Sequence, residues 1–139
     1  MPQPRVAGVD YGARRVGIAL ADPLRLVARP VGSFAPGPAL DALGRLHAED
    51  PLGVVVLGWP LTDDGEEGAA VDRVRPFAGR VRTRLPGVEV VVQDERESSR
   101  RALAEMVAAG VPKGRRRRKG TLDAAAACVI LQDWLDEHG

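Results

Sequence analysis

The stretch RVAGVDYGARRVGIALAD, residues 5–22, decides the fold. RVAGVD (5–10) reads as a buried strand that ends on Asp10. Gly12 within YGAR supports a tight turn, and RVGIALAD (15–22) reads as a second strand running back along the first. LVARPVGSF (26–34) is a weaker third strand. Its Pro30 has no backbone N–H to give to a ladder, which places it on a sheet edge. Three strands with short connections form an antiparallel meander.

Outward from the meander the pattern changes. Leu40, Leu43 and Leu46 recur at helical spacing within PALDALGRLHAED (38–50), with Pro38 near the start. LGVVVLG (52–58) is a continuous apolar run suited to a strand buried on both faces. EEGAAVDRVRPFAGRVRTRL (66–85) is helical in pattern, and Pro76 is expected to kink or break it. VEVVVQ (88–93) is another buried strand, after a Pro-Gly turn. SSRRALAEMVAAG (98–110) is a helix capped by Ser98 or Ser99 and stopped by Gly110. The last helix covers 121–139, with Thr121 as its N-cap. The order β-β-β-α-β-α-β-α-α predicts an α/β fold: a five-stranded mixed sheet, three antiparallel strands then two parallel, flanked by helices and forming one domain over 1–139. Right-handed crossovers make strands 1, 4 and 5 parallel. Their C-terminal ends then share the edge outside which ligands bind in open α/β sheets.

Of the 139 residues, 45% are hydrophobic and only 4% aromatic, so the core is aliphatic and the chain is not disordered by composition. Cys128 is the one cysteine, which excludes an intramolecular disulfide. With His47 and His138 far apart in sequence, zinc is not expected. MPQPRVAGVD is neither a signal nor a transit peptide, and no apolar run approaches the ~20 residues that span a bilayer. A cytoplasmic protein without a membrane partner is expected. The net charge is +1, yet KGRRRRK (113–119) alone carries six positive charges, which leaves −5 on the rest. A basic strip on an acidic body suits a polyanionic partner.

The predicted edge gathers acids. Asp10 ends strand 1, Asp94 and Glu95 end strand 5, and Asp123 lies in the first turn of the last helix, whose small residues Ala124–Ala127 let it approach the sheet. Like charges in a cleft repel, and a divalent cation removes that penalty. Carboxylates without His or Cys select a hard ion, Mg²⁺ or Mn²⁺, of the kind that supports phosphodiester cleavage. Arg96, Ser98 and Ser99, at a helix N-terminus, suit a phosphate. Lys113, Arg115, Arg116, Arg117, Arg118 and Lys119 suit a nucleic-acid backbone, as a mobile clamp. Each feature also has a plainer account. Asp10 suits turn chemistry, Asp123 suits a helix dipole, and the Asp94–Arg96 group suits a local ion pair. The Arg run, like DDGEEG (63–68), suits a flexible solvated segment.

Four blocks together resemble the YqgF family, nucleases of the ribonuclease H fold related to Holliday-junction resolvases. GVDYGARRVGIALAD is similar to that family's opening: strand, Asp, aromatic, Gly, basic pair, strand. VVVLGWPLTDDGEEG is similar to its second block, VQDERESS to its Asp-Glu-Arg block, and KGRRRRKGTLDAAAACVILQDWL to its basic segment followed by Asp-Ala-x-Ala. The resemblance implies a nuclease whose catalytic metal ligands are Asp10, Glu95 and Asp123. Spacing alone leaves Asp94 and Glu95 as alternatives. The resemblance also implies one of two activities: maturation of the 5′ end of small-subunit ribosomal RNA precursor, or resolution of four-way DNA junctions, which calls for a homodimer. Trp59 stands where the family usually has Leu, and Glu97 where it usually has an apolar residue. An actin-like ATPase shares the strand–Asp–Gly–strand hairpin but clamps its nucleotide between two such domains, more than this length holds. A non-catalytic nucleic-acid-binding module would not need all three carboxylates.

Overall fold

The computed structural model describes residues 3–95, 98–116 and 120–138. In chain order the elements are β1 (Arg5–Tyr11), β2 (Val16–Ala21), β3 (Ala28–Phe34), α1 (Pro36–Glu49), β4 (Leu52–Trp59), α2 (Ala69–Arg84), β5 (Glu89–Asp94), α3 (Ser98–Ala108), α4 (Lys113–Arg116) and α5 (Thr121–His138). They form the expected mixed sheet, in the order β3-β2-β1-β4-β5. β2 lies antiparallel between β1 and β3, whereas β1, β4 and β5 run parallel. β3 takes the edge that Pro30 demands. Its register shifts there, with Ile18 opposite Gly32 but Ala19 opposite Pro30, so Val31 is an extra residue that bulges the strand.

Alternation along the strands divides the core in two. Ala7 and Val9 of β1, Val16 and Ile18 of β2, and Val55 and Leu57 of β4 pack against Leu43 of α1 and Val71, Val74 and Phe77 of α2. Their neighbours Val6, Ala19, Val54 and Val56 face the other way, onto Ala127, Ile130, Leu131 and Trp134 of α5. α3 lies outside α5, where Ala102 meets Ala126 and Val129. The α5 face is a backbone-close contact. A Cβ on Gly8 would lie 2.6 Å from Leu131 Cβ, and one on Gly17 would lie 2.0 Å from the Asp123 carbonyl oxygen. At the far end of β1, the Arg5 guanidinium donates to the carbonyls of Leu46 and Asp50 at 2.6 and 2.8 Å, adding to the bond that Leu46 O already accepts from the Asp50 amide and tying β1 to the end of α1.

Three local expectations are corrected. Pro76 does not break α2, which runs without interruption from Ala69 to Arg84. One proline removes one backbone bond, and the buried Val71, Val74, Phe77, Ala78 and Val81 on both sides of it hold the helix to the sheet. The stretch 63–68 is exposed yet closed on itself: Thr62 N donates to Glu66 O, Gly65 N to Thr62 O, and Glu66 N to Thr62 Oγ1. Gly65 supplies the positive φ of 81° that this turn needs. The basic segment begins as a helical turn, Lys113–Arg116, closed by Arg116 N onto Pro112 O, where flexible chain was expected. Gly110 does stop α3. Its φ is 77°, and Val111 N reaches back to Met106 O as Gly110 N does to Val107 O.

Candidate active site

Parity decides which side chains meet at the parallel edge. Asp10 shares the phase of Val6 and Gly8, so it faces α5. Glu95 shares the phase of Val91, which packs on the same side. Between them on β4 stands Gly58, where a Cβ would lie 2.7 Å from Glu95 Cδ and 2.8 Å from its Oε2. Only a bare backbone leaves Glu95 its place. The Glu95 amide is fixed in turn by donating to Trp59 O at 3.2 Å. Asp94 has the opposite phase, is exposed, and sits opposite Trp59 in the ladder. Of the two acids that spacing left open, Glu95 is the one turned toward Asp10.

Asp10 and Glu95 share a hydrogen bond. Burial is the main force on both and raises both pKa values, since neither carboxylate keeps full hydration. Glu95 is pushed up to about 9: burial comes first, then the charge of Asp10 and the bond to it, against a smaller lowering by Ser98. Asp10 is raised by burial, relieved in part by that bond, and raised again by the charge of Asp123. At neutral pH Glu95 therefore holds a proton and donates it to Asp10. Ser98, expected at a phosphate, is instead 5% exposed and gives its Oγ to Glu95 Oε2 at 3.2 Å.

Asp123 arrives on the first turn of α5 and is held differently. Arg15 Nε donates to its Oδ2 at 2.9 Å, and Ser33 Oγ donates to the same oxygen at 3.2 Å. The structure thus joins Asp10 to Glu95 and brings Asp123 within electrostatic reach of Asp10. Among the described residues no three acidic, His or Cys side chains stand together closely enough to hold a metal ion. The donor chemistry nevertheless fits a hard divalent cation. All three candidate donors are carboxylates, and two of them are raised in pKa, chiefly by burial and further by neighbouring carboxylate charge, a penalty that a cation would relieve.

A cleft of about 690 Å³ opens against Glu95 and Ser98, with Arg100, Asp133 and Glu137 among its walls. Its α3 and α5 sides are tied by a two-pronged pair, Arg101 to Asp133 at 2.6 and 3.0 Å. Lys113 and Arg115 are exposed on α4 and Arg116 is half-buried. Arg96, Arg117, Arg118 and Lys119, together with the side chain of Ser99, lie outside the described residues. Sequence reasoning missed four contributors. Arg15 stood in the quoted basic pair but carried no assigned role, and Ser33 gave no signal. Trp59 and Glu67 form a strap: the indole N–H donates to Glu67 Oε2 at 2.7 Å, while Arg75 pairs with Glu67 and lies 5.3 Å from the ring centre. The departure from Leu at position 59 was the available clue. It gives the ring a polar edge that anchors the 60–68 loop.

The sequence profile of the RuvX family, described as Holliday junction resolvase, matches residues 4–137. A Salinibacter ruber protein named "Putative pre-16S rRNA nuclease" is 47% identical over 97% of this chain and 94% of its own length. A Chlorobaculum tepidum protein of the same name is 40% identical over 96% and 94%. Among solved structures, Thermus thermophilus RuvC bound to a Holliday junction substrate superposes with a TM-score of 0.59 at 18% identity, covering 97% of this chain and 95% of that one. The Fowlpox virus resolvase in complex with Holliday junction DNA gives 0.60 at 10% identity, covering 96% and 97%. These two share the fold, a ribonuclease H-like sheet with its helices. Profile, full-length relatives and fold converge: the chain belongs to the RuvX family, the YqgF family of the sequence resemblance.

Proposed function

We propose that this chain is a divalent-metal-dependent nuclease that hydrolyses phosphodiester bonds in structured nucleic acid. Its best-supported task is maturation of the 5′ end of small-subunit ribosomal RNA precursor in the cytoplasm. The observation that carries the reading is the buried, proton-sharing Asp10–Glu95 pair at the joint end of β1 and β5, with Asp123 beside it. Such a pair is costly to bury and serves no packing need. The names of the full-length relatives favour the RNA substrate.

Asp10, Glu95 and Asp123 are the residues that would hold Mg²⁺ or Mn²⁺, which supplies the positive charge that phosphodiester cleavage develops against. The rest is the work of the chain. Gly58 and Ser98 fix the Glu95 carboxyl, and the pleat of β1 aims Asp10 at it. Arg96, Ser99 and the strip Lys113, Arg115, Arg116, Arg117, Arg118 and Lys119 bind the phosphate backbone, which adds affinity without reading sequence. Resolution of four-way DNA junctions by a homodimer is the second reading, favoured by the junction-bound proteins that share the fold.

The test is a side-by-side cleavage assay on precursor ribosomal RNA and a four-way junction, with Mg²⁺ and with Mn²⁺. Precursor is cut and the junction is not. Asp10→Asn, Glu95→Gln and Asp123→Asn each lose at least about 10²-fold in rate while remaining folded. Near-normal cleavage by Asp123→Asn would refute the three-carboxylate site.

A further inference from the structure

Among the described residues, Asp123 is the member of the acidic trio that is paired with a cation. Both hydrogen bonds it accepts from described side chains fall on Oδ2, from Arg15 Nε at 2.9 Å and Ser33 Oγ at 3.2 Å. The two grips come from separate places, the β1–β2 turn and the edge strand β3. The backbone is shaped to bring them in: a Cβ on Gly17 would meet the Asp123 carbonyl oxygen, and a Cβ on Gly120 would lie 2.7 Å from Ser33 Cβ. Asp10 and Glu95 have no such partner among the causes that move their pKa values, which are burial, each other, Ser98 and further carboxylates.

The geometry points to a partner exchange at Arg15. Without a divalent cation, Arg15 holds Asp123 aside from the Asp10–Glu95 pair. When the cation takes Asp123, the guanidinium passes to a non-bridging phosphate oxygen of the nucleic acid. This rests on the reading of Asp10, Glu95 and Asp123 as the cation's ligands. Three observations support it. As placed, no three described acidic, His or Cys side chains form a group that could hold a metal, and Asp123 is the acid of the trio whose carboxylate is held from outside it, by Arg15 and Ser33. A guanidinium and a divalent cation on one carboxylate repel each other, and a phosphate offers the planar fork two non-bridging oxygens as alternative acceptors. The Arg15 side chain is 36% exposed, so it has solvent-side room to change partner. Arg15 then makes metal and substrate each favour the other's binding, because each relieves Arg15 or Asp123 of its first partner.

The experiment measures Mn²⁺ affinity by electron paramagnetic resonance, without nucleic acid, for wild type, Arg15→Gln, Arg14→Gln and Ser33→Ala. Affinity for a labelled RNA hairpin is then measured by anisotropy in Ca²⁺, with strand integrity checked on a gel. Removing Arg15 should tighten Mn²⁺ binding about fivefold or more and weaken hairpin binding about tenfold. Arg14, exposed on the same turn, controls for charge alone, and its loss should change Mn²⁺ affinity by under about twofold. Ser33→Ala changes no charge and still loosens Oδ2, so it should tighten Mn²⁺ binding modestly; it carries the test if Arg15→Gln does not fold. Weaker Mn²⁺ binding in Arg15→Gln or Ser33→Ala would mean that these residues orient Asp123 for the metal, and would overturn the exchange. Equal effects of Arg14→Gln and Arg15→Gln would overturn it as well. A wild-type protein that binds no Mn²⁺ would instead overturn the metal site itself.

Discussion

Glu95→Gln should make the protein more stable while making it inactive. Glu95 titrates near 9 in the folded chain against a reference of 4.5, with burial as the main cause. Between those values the folded chain holds one proton more than the unfolded chain. Unfolding free energy therefore falls as pH rises from about 4.5 to about 9. The stabilisation is complete below the unfolded value and is lost on passing the folded one. At about 1.4 kcal/mol per pH unit, the loss by pH 7 reaches ~3 kcal/mol, an upper figure because Asp10 shares the proton. Gln keeps the shape, can still donate toward Asp10, and has no charge to desolvate. In a chelator at pH 8, its melting temperature should exceed wild type by on the order of 5–10 °C, at roughly 3 °C per kcal/mol for a domain of this size. The gap should close toward pH 4.5. Mg²⁺ at ten times its Kd should return about 1.4 kcal/mol to wild type and nothing to the variant. The assay is thermal unfolding by circular dichroism across a pH series, with chelator or Mg²⁺. A variant that melts at or below wild type at pH 8, or that keeps the same pH slope, would refute the argument that an uncompensated buried carboxylate sits at this edge.

Gly17→Ala should cost about 3 kcal/mol in urea titration and reduce cleavage as well, because the added methyl meets a backbone carbonyl that cannot rotate away. Glu67→Ala removes the one carboxylate that Trp59 and Arg75 share. Hydrogen exchange should then quicken at the amides of Thr62, Gly65 and Glu66, with exchange in β4 unchanged.

The fold was legible because its decisive signals are local. Asp10, the Gly12 turn and Pro30 set the meander and its edge, and the apolar run at 52–58 required a strand covered on both sides. The run at 88–93 reads the same way and misleads: β5 is the other edge of the sheet, none of its residues is buried, and Val92 is 48% exposed. The site was legible only to the element. VVVLG and VEVVVQDE are apolar at both phases, so the pleat cannot be read from them, and Asp94 and Glu95 stayed interchangeable until Gly58 and Val91 gave the phase. Ser98 illustrates the opposite error: a hydroxyl at a helix start looks like an anion contact, and nothing in sequence shows that it is buried against Glu95. Arg15 and Ser33 reach Asp123 across separations of 108 and 90 residues, which no periodicity encodes. Pro76 misled because helix propensity is local, whereas the apolar stripe that rescues α2 acts through the sheet.

The glycines beneath α5 also bear on how such a protein can change over generations. Two apolar side chains in contact can be traded in small steps, one enlarging as the other shrinks. Gly17 against a carbonyl oxygen, or Gly8 against Leu131 Cβ, has no counterpart that can shrink. The spacing between the sheet and the first turn of α5 is thus closed to gradual drift, whereas the exposed 60–68 loop and the segment after α3 are open to it. A descendant that takes up a different nucleic acid inherits the same acidic geometry and acquires its preference at the rim.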